Sequence, residues 1–226
     1  MGMFSKLKNA IRRRRLTGRD PVDIFAEYAA TNKWGDKDSL SGRGSNLETT
    51  AHLRSLLPDL LRDLEAASLL DVPCGDFFWM RHVDLAGVAY TGGDIVPELV
   101  ARNAATFARK GVNFAVIDLL AGPIPKADVI FVRDCLVHLS NDHVRQALSN
   151  IAASGGTWLL TTTFPDTGTN ADIATGEWRP IDLTRPPFNL PPPHRLLAEG
   201  QVHLKGQQPD KMLGLWRISD IAGVRA

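Results

Sequence analysis

Four times in the middle of the chain a short apolar run stops on an aspartate: at 68–71, 88–94, 112–118 and 128–134. None carries a helical period and each is too short for a core helix, so each predicts a buried strand. Helical patterns stand between and after them. One covers 97–110, with Pro97 in its first turn and Gly111 past its end. Another covers 141–153, with Asn141 as its expected cap. A fifth strand is expected at 156–163. Strand and helix alternating in this way predict an α/β fold: a doubly wound, mostly parallel sheet with helices on both faces.

The flanks extend this plan. Asp20 followed by Pro21 opens a helix over 21–30. The leucines at 53, 56, 57, 60, 61 and 64 put one apolar face on a helix over 47–65. Pro58 is expected to bend or break it. Short helices are expected at 77–83 and 194–199, and closing strands at 202–205 and 212–218. Three regions follow: a basic arm at 1–20, a helical cap with a Gly/Ser loop at 21–66, and an α/β domain at 67–226. Within the last, the Pro- and Gly-rich stretch 164–193 is too long for a simple connection and is expected to form a substrate loop.

Composition limits the class. The 226 residues are 44% hydrophobic and 23% charged, enough for one soluble domain with a sizeable core. No apolar run approaches the ~20 residues that span a bilayer. The basic start is not followed by an apolar segment, so no signal peptide is expected. Two cysteines, Cys74 and Cys135, exclude a disulfide scaffold and suit free thiols in a reducing cytoplasm. No Cys/His spacing suggests zinc. The overall charge of +1 conceals an uneven distribution, because residues 1–20 hold seven Lys/Arg and one acid. Such an arm could meet an anionic membrane surface or RNA, making the protein cytoplasmic and peripheral at the membrane.

Four carboxylates at one sheet edge repel one another unless a ligand with hydroxyls and amines meets them. Ligands of open α/β sheets bind at that edge. The tight turn Asp71-Val72-Pro73-Cys74-Gly75 follows the first strand, and Asp94 lies 19 residues after Gly75, the place of a ribose-binding acid. The G-x-G-x-x-G pyrophosphate fingerprint is absent. The loop Ser41-Gly42-Arg43-Gly44-Ser45 has the permissive backbone that wraps an anionic group.

The Asp-x-Pro-x-Gly turn resembles the first motif of class I S-adenosylmethionine-dependent methyltransferases, departing from it at Phe77, where a glycine is expected. The resemblance spans 69–218 and implies six parallel strands with an antiparallel seventh. It places Asp71, Pro73 and Gly75 at the methionine part of the cofactor, Asp94 and Ile95 at the ribose, and Asp118 at the adenine. Arg133, Trp34, Gly44 and Ser45 fall beside and above them. The segments Arg133-Asp134-x-Leu-Val-His138-Leu, Thr161-Thr-Thr-Phe-Pro165, Asp172-Ile-x-Thr-Gly-x-Trp178-Arg-Pro180 and Gly214-Leu-Trp-Arg217 are similar to a bacterial group of such enzymes whose substrates are mostly unassigned. That group implies a glycan or related polar small-molecule acceptor.

Methylating a hydroxyl needs in-line approach and a base. His138, just beyond the fourth strand, is the candidate base, and Asp134 is its orienting partner or the base itself. Trp178 and Arg179 suit a polar ring by stacking and hydrogen bonding. One alternative is a magnesium ion on Asp134 and Asp166, with Asn170 and Asp172 near; the tight Asp-Asn pair such sites carry is missing, so no metal is expected. Others are an RNA or protein acceptor and a non-catalytic cofactor-binding protein. The stretch Arg185-Pro186-Pro187-Phe188 lies too far downstream to be an adenine-methylating motif. Oligomeric state is not legible.

Overall fold

The computed structural model describes residues 13–85, 87–200, 211–221 and 223. Seven strands form one sheet: β1 (Ser68–Asp71), β2 (Ala89–Asp94), β3 (Val112–Val116), β4 (Val129–Val132), β5 (Trp158–Thr163), β6 (Arg195–Ala198) and β7 (Met212–Arg217). Their order is β3-β2-β1-β4-β5-β7-β6. β1 to β5 run parallel, and β7 is antiparallel to both β5 and β6. The chain winds outward from β1 to β3, then returns to lay β4 against the other side of β1. That reversal opens a crevice at the carboxyl ends of β1 and β4.

Period-two alternation gives the sheet two apolar faces. Val129 and Phe131 of β4 join Leu69, Leu160 and Leu215 on one face. Ile130 and Val132 join Leu70, Leu159 and Trp216 on the other. Helix α1 (Pro21–Ala30) starts at Asp20, whose side chain accepts from the Val22 amide, as expected. Helix α2 (Ala51–Asp63) covers the first face with Leu53, Leu57, Leu60 and Leu61. Pro58 sits inside this helix without ending it. Burial of each leucine contributes roughly 1.5–3 kcal/mol, and together they outweigh the ~3 kcal/mol cost of an interior proline. Helix α3 (Pro97–Phe107) packs against β2 and β3. Helix α4 (Asn141–Ala153) covers the second face through Val144, Ala147, Leu148 and Ile151. Its cap is Ser140, one residue earlier than expected, with the hydroxyl accepting from the His143 amide. The short α5 (Ile218–Ile221) follows β7.

Three connections depart from the sequence pattern. Only Met80–His82 of the helix expected over 77–83 is helical, as a 3-10 turn. The segment expected as a helix at 194–199 is strand β6, because Arg195 to Ala198 pair with Leu215 to Met212. The strand expected at 202–205 lies outside the described residues, as does most of the basic arm. The long stretch after β5 is ordered by its own polar groups. Asp182 accepts from the Thr184 amide and hydroxyl and from Arg185, while Asn170 bonds the Asp182 amide and the Asp182 and Pro186 carbonyls. Tyr28 of α1 donates to the Gly176 carbonyl at 3.0 Å, so α1 closes down on this loop.

One carboxylate ties the start of β1 to β4. Asp128 Oδ2 accepts from the Ala67 amide (3.0 Å), the Ser68 amide (2.9 Å) and the Ser68 hydroxyl (2.8 Å). Asp128→Ala leaves those donors without their charged acceptor and should lower unfolding free energy by about 1.5–3 kcal/mol, measured by urea denaturation. An unchanged midpoint would refute this anchoring role.

Candidate active site

The turn after β1 is fixed from two directions. The Cys74 amide donates to the Gly93 carbonyl at 2.7 Å, and the Gly75 amide donates to Asp94 Oδ2 at 3.1 Å. Gly75 holds φ +56, and a β-carbon there would fall 2.0 Å from Ser41 Oγ. The position therefore needs glycine both for its backbone and for the close passage of the 41–45 loop. Asp76 fastens that loop: its carboxylate accepts from the Ser39 hydroxyl (2.9 Å) and the Leu40 amide (2.8 Å). The N-terminal Gly/Ser segment thus lies directly over the end of β1.

The strand-end acids occupy two electrostatic settings. Asp71 and Asp94 are buried. Asp71 accepts from the Tyr90 hydroxyl at 2.8 Å, yet burial pushes it up to about 7. Burial likewise raises Asp94 to about 6, against the amides of Val96 and Gly75 that favour its charged form. Asp134 is the opposite case. Burial opposes its charge, but Lys211 Nζ at 2.7 Å and Arg133 at 3.4 Å hold its carboxyl well below the usual range. Its backbone is left-handed (φ +51), with its amide on the Thr162 hydroxyl at 2.9 Å. Arg133 is buried, pairs with Glu199 at 2.6 Å and donates to the Gly44 carbonyl at 2.9 Å. Lys211 also reaches Glu199, at 3.1 Å.

Asp71, Asp94, Arg133, Asp134 and Lys211 line a cavity of about 490 Å³. The expected residues Asp71, Pro73, Gly75, Asp94, Ile95, Asp118, Arg133, Asp134, Trp34, Gly44, Ser45, His138 and Trp178 all border it. His138 lies on the 3-10 turn Leu136–His138, its ring 5.8 Å from Trp34. Its Nδ1 is 2.8 Å from the Glu177 carbonyl oxygen. A carbonyl only accepts, so Nδ1 carries the hydrogen, and in the neutral ring the basic lone pair is on Nε2. Trp178 is 48% exposed and meets Phe164 edge-on at 6.1 Å.

Arg179 is the exception, and its expected role in meeting a substrate does not fit where it lies. Its guanidinium donates to the Leu136 carbonyl (2.9 Å), the Ala171 carbonyl (3.0 Å) and Asn141 Oδ1 (3.0 Å). It braces the turn that bears His138 from behind. The acids of the magnesium alternative are also engaged: Asp134 by two cations, Asp172 by the Asn141 amide. Among the described residues no three His, Cys, Asp or Glu side chains gather at metal-ligand spacing. Cys74 and Cys135 are free thiols, and burial pushes the Cys135 thiol up to about 12. Sequence reasoning missed Asp76, Lys211 and Glu199. Asp76 stood inside the recognised turn, whereas no local pattern marks the other two.

No family model matches the sequence, and no curated protein matches it significantly. Solved structures do match. The chain aligns with 1,6-didemethyltoxoflavin-N1-methyltransferase of Burkholderia thailandensis, solved with bound 1,6-didemethyltoxoflavin and S-adenosylhomocysteine. There the identity is 17%, the TM-score is 0.58, and the match covers 88% of this chain and 90% of that one. PigF with S-adenosylhomocysteine aligns at 15% identity and TM-score 0.57, over 95% of this chain and 69% of that one. The chain spans 65% of the length of human N-acetylserotonin methyltransferase, at 15% identity and a TM-score of 0.49 that carries no weight. The fold, with its 3-2-1-4-5-7-6 order and antiparallel β7, is that of class I S-adenosylmethionine-dependent methyltransferases.

The raised acids carry a pH signature. A carboxyl whose folded pKa exceeds its unfolded value binds its proton more tightly in the folded state, so stability falls as pH rises between the two values. For Asp71 and Asp94 that window runs from about 4 to between about 6 and about 7. The ligand-free protein should melt higher at pH 5 than at pH 7.5, and Asp71→Asn should narrow the gap. A difference of the opposite sign by calorimetry would contradict the burial assigned to these acids.

Proposed function

We propose that the chain transfers a methyl group from S-adenosylmethionine to a hydroxyl of a saccharide or related polar small molecule, with His138 as the base. One observation carries this reading: a single cavity holds both the buried strand-end acids and an imidazole with its lone pair assigned to Nε2. The cavity residues suit the cofactor. Asp94 takes the Gly75 and Val96 amides on separate oxygens, with the Ile95 amide also turned to it, and keeps acceptor capacity for a ribose hydroxyl. Asp118 with Leu119 and Leu120 offers an acidic and apolar wall for adenine, and Asp71, Pro73 and Gly75 border the amino-acid end. When bound, the cofactor supplies an electrophilic methyl on a sulfonium. The chain then has to orient the acceptor, exclude water and remove one proton. His138 Nε2 can take that proton while the Glu177 carbonyl holds the ring.

Trp178 offers an exposed aromatic face for a sugar ring. A second reading follows from the same wall, because Phe25, Trp34, Leu139 and Phe164 also border the cavity and would accept a hydroxylated aromatic ring. Transfer assays with both classes of acceptor separate the two readings, and binding of adenosylhomocysteine without transfer to any acceptor would favour a non-catalytic role. An RNA acceptor would draw on the basic arm, so transfer that collapses with salt would point there. The free thiols suit a reducing cytoplasm, with the arm touching anionic membrane. Among the described residues no helix is long and apolar enough to cross a membrane.

Two substitutions test the site. Asp94→Ala should weaken adenosylhomocysteine binding at least about tenfold, since a ribose hydroxyl loses a charged acceptor. Unchanged calorimetric affinity would remove Asp94 from the site. His138→Ala should leave that affinity nearly intact and cut turnover about a hundredfold or more. Near-normal turnover in the variant, with loss on magnesium chelation, would replace the base by the metal reading.

A further inference from the structure

We infer that Trp34 is a positioning residue: its indole fixes the plane of the His138 imidazole and so the direction of Nε2. The inference rests on the reading of His138 as the base and adds the contact that aims it. The Glu177 carbonyl meets the ring at one edge, Nδ1, at 2.8 Å. A histidine's ring torsion is broad, and a carbonyl accepts hydrogen bonds over a wide spread of directions. That bond settles which nitrogen carries the hydrogen and leaves the ring plane loosely set. Trp34 supplies a second restraint, with its ring centroid 5.8 Å from that of the imidazole and the planes tilted by 52°.

Trp34 is held in turn. The exit from α1 sets its backbone: Asn32 is left-handed (φ +45), and the Lys33 amide donates to the Tyr28 carbonyl at 3.0 Å. Tyr28 meets the indole edge-on, with centroids 5.4 Å apart and planes at 88°. That geometry is the one aromatic pairs prefer, so the contact is directional. Gly42 packs against the stem of the side chain, where a β-carbon would lie 2.7 Å from Trp34 Cβ. Tyr28 also donates to the Gly176 carbonyl, next to Glu177. Both restraints on the imidazole therefore trace to one tyrosine of α1. Core filling does not account for Trp34, which is only half-buried and borders the cavity beside His138.

Long-range 1H–15N NMR spectra of the full chain at pH 8, where a reference imidazole is neutral, test this. The His138 signals are assigned by their loss in His138→Gln. The wild-type ring should show the Nδ1–H tautomer alone. Trp34→Leu keeps the apolar bulk but removes the ring, and should lose that single tautomer to shifts averaged over both. Trp34→Phe restores an aromatic ring and should recover it. A single Nδ1–H tautomer retained in Trp34→Leu would overturn the assignment and leave Trp34 as packing. Equal loss in both variants, with lowered melting temperatures, would also overturn it, because the effect would then be general loosening. A wild-type ring without the Nδ1–H tautomer would instead refute the orientation of His138 on which the base reading depends.

Discussion

The site depends on one carboxylate bridging two backbone turns. Asp94, at the end of β2, receives the Gly75 amide on one oxygen and the Val96 amide on the other. The first contact sets the turn after β1, and the second sets the entry to α3. Register makes this possible: β1 and β2 run parallel with Asp71 opposite Gly92, so Asp94 overhangs the neighbouring strand and reaches its turn. A charged acceptor for buried amides also explains why an acid tolerates this depth, since each bond favours the ionised form that burial opposes. The same group is thereby oriented before any ligand arrives, which reduces the ordering cost of binding.

Charge is distributed unevenly along the sheet edge for a physical reason. Asp71 and Asp94 face the crevice without a salt-bridge partner among the described residues, and burial raises both, Asp71 to about 7 and Asp94 to about 6. Asp134 is locked into its charged form by Lys211 and Arg133. A ligand rich in hydroxyls and cations restores charge to the first pair, whereas Asp134 is already compensated. The Arg133–Glu199 pair reaches from the end of β4 to the end of β6, and Arg133 also holds the Gly44 carbonyl. The pair therefore fastens the Gly/Ser loop as well as the sheet edge. Among the described residues one Glu199 oxygen is buried with no hydrogen-bond partner, so within them the pair is tight but not fully satisfied.

Much of this was legible because the informative signals were local. Apolar runs ending in acids marked four of the five parallel strands, the run at 156–163 marked the fifth, and the Asp94 spacing marked the crevice. β6 was not legible: Arg195-Leu-Leu-Ala198 has no alternation, and only pairing with β7 makes it a strand. Pro58 misled in the other direction, since tertiary burial of the leucines around it overrides its local preference. Lys211 and Glu199 carry no spacing signal because the fold, not the sequence, brings them to Asp134. Arg179 next to Trp178 looked like a substrate pair, but neighbours on an irregular loop need not point the same way. One faces the cavity and the other turns into the loop's interior.

That turn is what makes a long polar loop into part of the framework that positions His138. Arg179 holds the Leu136 carbonyl, the Arg179 amide holds Val137, and the Gly176 amide holds His138, so the 3-10 turn is gripped along its length. Glu177 adds the contact to the imidazole itself. Behind them, Gly176 admits close packing: a β-carbon there would lie 2.8 Å from Ile24, and Tyr28 bonds its carbonyl. The N-terminal helix therefore clamps the loop, the loop clamps the turn, and the turn presents His138. The imidazole is placed by packed secondary structure rather than by a free loop, the fixed position that the proton-accepting role proposed for it would need.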